Sequence, residues 1–177
     1  MSSFKDRIIR AAKLDVKLYE EVEADKGAMI QATVIVVLAS VAGGLGSMGK
    51  GGVSGLIWGT AIALIAWYVW AYVTYIVGTK LLPEPQTRAN YGELLRTIGF
   101  SSSPGLIRIL GVIPGLAGLV FLIAGIWMLV AMVVAVRQAL DYKSTFRTVG
   151  VCLIGWIIQA LIIALFFSIF GGFGKPV

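Results

Sequence analysis

At 177 residues the chain has the length of one domain, but 58% of it is hydrophobic, only 14% is charged, and its mean hydropathy is +0.90. A soluble domain averages about 45–50% apolar and about 25% charged residues, and a water-borne fold of this size has too little interior to hide the excess, so a soluble enzyme, a disordered tail and a secreted disulfide scaffold are excluded. Histidine is absent and Cys152 is the one cysteine, which removes a disulfide framework and a Cys/His metal cluster. The net charge of +6 comes with no nucleic-acid-binding motif and bears first on membrane topology.

The chain opens with six Lys/Arg and six Asp/Glu among residues 1–26, a composition unlike a signal peptide. At helical spacing Phe4, Ile8, Ala11, Ala12, Leu18, Tyr19 and Val22 share one face, and Asp6, Arg10, Lys13, Lys17, Glu20 and Glu21 the other. Asp15 interrupts the apolar face. The pattern predicts an amphipathic interfacial helix over 1–27, contacting lipid or a partner, or packing against the chain's own loops.

Four charge-free stretches follow, 27–49, 51–79, 115–136 and 148–174. Each is longer than the roughly 20 residues that cross the hydrocarbon as a helix. A fifth candidate, 94–113, carries Arg96, Arg108, Thr97, three serines and Pro104; it reads as a poor span or a re-entrant piece shielded by its neighbours. With five spans and the N-terminus inside, twelve of fifteen Lys and Arg fall on the inner side; with four spans the division is eleven to four. Both counts place the N-terminus in the cytoplasm. The fold class is therefore all-α, a polytopic bundle over 28–177 with an N-terminal amphipathic helix. Its inner loops offer Glu84, Arg88, Glu93, Arg137 and Asp141 as a candidate surface for a protein partner.

Within the spans, Gly51, Gly55 and Gly59 recur every four residues and form a candidate helix-packing stripe, for a neighbouring helix of the chain or for a homo-oligomer. Tyr72 and Tyr75 are placed for an aromatic belt, and Trp67 lies about 16 Å deeper than the end of that span. Arg108 either snorkels to the outer interface or forms a polar or lipid-headgroup site with Ser101, Ser102 and Ser103. After the N-terminal segment the only carboxylates are Glu84, Glu93 and Asp141, all in loops. With no histidine to act as base, no catalytic constellation, metal site or cofactor is expected, and membrane lipids are the expected partners.

These motifs resemble a known family. Gly99-Phe100-Ser101-Ser102-Ser103-Pro104 resembles the glycine–aromatic–serine–x–x–proline signature of the Yip family, the Ypt-interacting proteins. Leu18-Tyr19-Glu20-Glu21-Val22 ahead of the first span and Trp127 in a span ending at Arg137-Gln138-Ala139-Leu140 also match. The run KLLPEPQT and Arg108-Ile109-Leu110-Gly111-Val112-Ile113-Pro114-Gly115 resemble the prokaryotic branch. The resemblance implies five transmembrane helices, a cytoplasmic N-terminus and an outer C-terminus. Eukaryotic members are linked with Rab-type GTPases and vesicle traffic; with only about 27 residues ahead of its first span, this chain is not expected to carry over GTPase recruitment, and a bacterial inner membrane is the expected location. Two functional readings stay open. One is a non-enzymatic scaffold for membrane partners or lipids, which predicts no water-filled cavity. The other is a small channel or transporter for an ion or lipid, which predicts a continuous polar track through Arg108 and the three serines.

Overall fold

A computed structural model describes residues 2–47 and 52–170, with the side chains of 163 and 166–170 set aside. Among the described residues every regular element is helical: α1 Phe4–Ala12, α2 Val16–Ala24, α3 Ala28–Gly46, α4 Gly52–Ile76, α5 Tyr91–Phe100, α6 Ala117–Ala139 and α7 Thr145–Phe170. A π-helical turn, Val77–Leu81, extends α4, and a 3-10 helix, Ser103–Val112, follows α5.

The single amphipathic helix expected over 1–27 is two helices. The first ends at Ala12 with Lys13 as its C-cap, Leu14 takes a left-handed φ of 62°, and Asp15 begins the second: its Oδ1 accepts the Lys17 N–H at 3.0 Å as the N-cap of α2. The residue that spoiled the apolar face is a cap, which is where a short side chain competing for backbone N–H groups is most favourable. Ser3 caps α1 in the same way, accepting from the Asp6 N–H.

Helices α3, α4, α6 and α7 are each long and apolar enough to cross a membrane. The doubtful fifth segment runs the length of the bundle as two pieces. Gly99 lies on Ala32, Gly105 on Ala39 and Gly111 on Gly46, so α5 and the 3-10 helix advance parallel to α3 from near its start to its end. Ten α residues and ten 3-10 residues span about 35 Å at their usual rises, against about 30 Å of hydrocarbon. Helix α6 returns antiparallel, with Phe121 beside Gly46 and Gly111, and Met128 beside Gly105. Helix α4 descends beside α3, Leu56 near Gly44 and Thr60 bonded to Ser40 at 3.0 Å, and α7 rises again, Gly155 against Trp70. Helix α2 packs on α5 and α6 at one end of this bundle, called here the capped end, and α1 packs against the 3-10 helix.

Most of the buried core lies in the capped half, where Leu18, Tyr19 and Val22 of the cap meet Leu94, Phe100, Val136 and Leu140. Away from it, Ile57, Trp58, Ile62, Leu119, Leu122, Ile126, Ile157 and Leu161 point outward, an apolar girdle that fits lipid.

The parallel contact of α3 with the third segment is made backbone to backbone. A 3-10 helix has three residues per turn, so Ser102, Gly105, Arg108 and Gly111 stand in one straight row; an α-helix would spread them around its circumference. A Cβ at Gly46 would run into the Arg108 carbonyl, and one at Gly111 would sit 2.5 Å from the Gly46 carbonyl oxygen. Pro104 in the first turn supports the start of the tighter helix. The glycine stripe expected at Gly51, Gly55 and Gly59 is not what seats a helix of this chain. Gly55 and Gly59 have no atom within 4 Å of an added Cβ, and Gly51 lies outside the described residues. Gly46→Ala and Gly111→Ala are therefore expected to destabilise the bundle by about 1–3 kcal/mol, while Gly55→Ala and Gly59→Ala do not destabilise it and gain up to about 1 kcal/mol of helix propensity; thermal unfolding of the four detergent-purified variants checks this.

Candidate functional site

A cavity of about 720 Å³ opens where all the membrane segments meet, between α3, α4, α5, the 3-10 helix, α6 and α7. Its wall is mainly apolar, with Trp67, Trp70, Met128, Met132 and Trp156 prominent, and its polar members are Ser40, Ser101, Ser102, Arg108 and Gln159. Trp67 is fixed by its Nε1–H, which donates to the Leu95 carbonyl at 3.1 Å, and Trp70 tilts against Trp156 with ring centroids 6.3 Å apart.

Arg108 does not snorkel outward. Its stem lies along Gly43, with Cδ 3.5 Å from where a Cβ would stand, and its Nη2 reaches inward to Met128 Sδ at 3.0 Å. Met128 is level with Gly105 and Ala39, and Ala39 is seven residues before the end of α3, so the guanidinium lies about 10 Å below that end. A Cβ at position 43 would be in ordinary van der Waals contact with the stem, so the stem packs along α3 at this level. The remaining neighbour is the Phe121 ring, 5.8 Å from the guanidinium carbon, and Nε has no partner among the described residues. Arginine in mid-membrane costs about 2.5–3.5 kcal/mol on insertion scales; a thioether is a weak acceptor and a ring face recovers about 0.5–2 kcal/mol.

Of the three serines grouped with Arg108, Ser101 and Ser102 line the cavity and Ser103 does not. The Ser101 hydroxyl donates to the Ile98 carbonyl and that of Ser103 to the Phe100 carbonyl, each at 2.7 Å. Both hydroxyls serve the junction where the α-helix tightens into a 3-10 helix. Gln159, the other polar residue on the wall, comes from α7.

The capped end is held together by polar side chains reaching between chain-distant elements. Helix C-termini leave carbonyls without partners and carry partial negative charge, and both N-terminal helices receive donors there. The Trp127 Nε1–H donates to the Ala12 carbonyl at 2.7 Å. Buried Arg96 donates through Nε to the Val22 carbonyl at 2.9 Å and through Nη2 to the Glu23 carbonyl. Arg96, which weakened the third segment as a membrane span, is thus a helix cap from another element. Arg7, only 5% exposed, joins Glu21 and Asp25 at 2.9 Å each and the Gln31 amide oxygen at 2.9 Å.

Three of the five residues expected to form a partner surface are used within the fold. Glu84 accepts the Lys143 and Ser144 N–H groups, which hold its carboxyl below the usual range. Glu93 closes a capping box with Asn90 at the start of α5. Arg137 donates to the Tyr142 and Lys143 carbonyls. Asp141 occupies a left-handed position, φ 54°, and with Arg88 remains exposed at the capped end. The Tyr142 hydroxyl, pushed up to about 12 chiefly by burial, meets the Gly78 and Leu82 carbonyls at 2.8 and 2.6 Å across the π-turn.

The cap carries two carboxyls shifted in opposite directions. Glu23 lines a smaller pocket of about 340 Å³ with Glu20, Arg137, Gln138, Asp141, Tyr142 and Lys143. Its carboxyl is pushed up to about 7, first by burial and then by Asp141 and Glu93, with Arg96 opposing. Glu21 is held down to about 2 by the hydrogen bond from Ser2 and by Arg10 and Arg7, against desolvation. Both titrate near 4.5 when undocked. The Glu21 contribution is present above 4.5 and lost as pH falls toward 2; the Glu23 contribution is present below 4.5 and lost as pH rises through 7. Amide exchange of α1 and α2, corrected for intrinsic rates, is expected to be slowest near pH 4.5 and faster on both sides, and Glu23→Gln is expected to flatten the alkaline limb.

These features define a polytopic α-helical membrane protein with a composite third segment and a two-helix cap. The chain belongs to the Yip family: the Yip1 domain matches residues 17–167, from the start of α2 into the last turns of α7. Comparison with curated proteins and with solved structures finds no match.

Proposed function

We propose that this Yip-family chain is a non-enzymatic scaffold of a bacterial inner membrane, with its capped end in the cytoplasm as a preassembled platform for membrane partners. The observation that carries the reading is the cross-tying of that end. Residues from α2, the loop after the π-turn, the end of α6, the turn that follows it and the start of α7 meet through Gln138 to Glu20 at 3.1 Å, Gln86 to the Asp141 carbonyl at 3.0 Å, and Arg147 to the Pro83 carbonyl at 2.7 Å. A surface held in one arrangement before a partner arrives loses less entropy on binding. The charged groups spent on these ties leave Arg88, Asp141, Lys17 and Lys26 exposed for a partner.

The scaffold reading expected no water-filled cavity, and the bundle holds a cavity that includes Arg108, Ser101 and Ser102; its lining nonetheless favours a scaffold over an ion conduit. Its polar groups are few and set in an apolar wall, whereas a conduction path needs donors, acceptors or charges along its length. Among the described residues the wall bears no carboxylate, lysine or cysteine to act as acid, base or nucleophile. Proteoliposomes are therefore expected to show no ion flux above protein-free vesicles, with and without Arg108→Ala; a flux that the substitution abolishes would replace this reading with transport. For orientation, with Cys152→Ser as background, a cysteine placed at Lys17 is expected to react with an impermeant maleimide only after cell lysis, and one placed at Lys175 in intact cells.

A further inference from the structure

We propose that the cavity is a binding site for one anionic lipid of small headgroup, whose phosphate or carboxylate oxygens sit on Arg108 and whose chain lies along the tryptophan wall. This goes beyond the scaffold reading and stands independently of it.

The charge comes first. After Asp25 the chain has only three carboxylates, Glu84, Glu93 and Asp141, and all three are engaged or exposed at the capped end. Arg108 stands fifteen residues beyond Glu93 along the third segment, about 25 Å at helical rises. Among the described residues its guanidinium therefore has no acidic partner, only the Met128 sulfur and the Phe121 ring. A guanidinium carries five N–H donors in a planar fork that matches a phosphate or carboxylate two bonds at a time. An oxyanion delivered by the membrane is the complement that the described residues do not supply.

The position of that charge selects a lipid. The guanidinium is inside the bundle, about 10 Å below the far end of α3, and the wall around it is apolar apart from Ser40, Ser101, Ser102 and Gln159. A sugar or other broad polar headgroup would leave donors and acceptors unpaired in such a wall, whereas a bare phosphate or carboxylate needs only the fork and one or two hydroxyl or amide groups. The cavity volume of about 720 Å³ falls within the roughly 300–1,000 Å³ of sites that bury most of a small amphiphile.

The wall also has an entrance from the side. Leu129 of α6 and Trp156 of α7 line the cavity and are each 40% exposed, and Ala160 on the same wall is exposed as well, so the cavity is not closed off along α6 and α7. A lipid can slide in between α6 and α7 without leaving the bilayer. Its chain would then rest on Trp156, Trp70 and Met132. Gly125, on the same wall, has no atom within 4 Å of an added Cβ, so a side chain begins there in open space and narrows the cavity while Arg108 itself stays in the sequence.

The test is titration of the purified full chain in detergent with phosphatidic acid, oleate, phosphatidylcholine and inorganic phosphate, read by native mass spectrometry for bound lipid and by thermal shift. One phosphatidic acid or oleate per chain is expected to bind and stabilise, with phosphatidylcholine and inorganic phosphate weaker by about tenfold or more. Arg108→Gln is expected to lose about tenfold or more in affinity, Arg108→Lys less, and Gly125→Leu is expected to lose binding with Arg108 intact. Should Arg108→Gln fail to fold, Gly125→Leu decides. Equal binding of phosphatidylcholine, wild-type affinity in Gly125→Leu, or a shift produced in full by inorganic phosphate alone would each overturn the assignment.

Discussion

The meeting of two main chains, that of α3 at Gly46 with that of the 3-10 helix at Arg108 and Gly111, is the constraint on which the rest of the bundle depends. In lipid there is no hydrophobic drive between helices, so association relies on close packing, and small residues allow the closest approach. Here the approach is so close that neither Gly46 nor Gly111 has room for a methyl group. The 3-10 geometry suits the contact because it stacks every third residue in one line, bringing two glycines to bear on α3 with the arginine between them.

That line turns an arginine near the end of a span toward the interior. A snorkelling arginine needs a free path to the interface. Here the stem instead packs along α3 at Gly43, and Met128 and Phe121 receive the guanidinium at its end. The cavity follows from the same arrangement: the third segment stays against α3 and α6, the tryptophans of α4 and α7 form the opposite wall, and the space between them is enclosed on several sides but reachable from lipid.

At the capped end the forces are different. The chain there is rich in charge, and exposed ion pairs contribute little by themselves. The organisation comes from donors that fill particular vacancies in the backbone hydrogen-bond scheme. Trp127 serves the end of α1, Arg96 the end of α2, and Tyr142 the π-turn. Each of these side chains comes from an element distant in sequence from the carbonyl it serves, so the cap is docked by tertiary hydrogen bonds on top of the apolar contacts of Leu18, Tyr19 and Val22.

Lipid immersion, the four apolar helices and the Yip-family signature were legible in the linear chain, because span length and charge exclusion are properties of composition over a window. The apolar face of the N-terminal segment was legible too, but its division at Asp15 was not, since an acid at helical spacing looks like a flaw in a face until its carboxylate is seen accepting a backbone N–H. The glycines at Gly55 and Gly59 have the regular spacing of a contact and face outward, while Gly46, Gly105 and Gly111 make the contact. A period of three in the third segment held the signal for that row, and it has meaning only once the backbone is known to be a 3-10 helix. The direction of Arg108, the partners of Arg96 and Trp127, and the cavity all belong to the tertiary structure. Each depends on which atoms from distant segments share one place, and window composition carries no information about that.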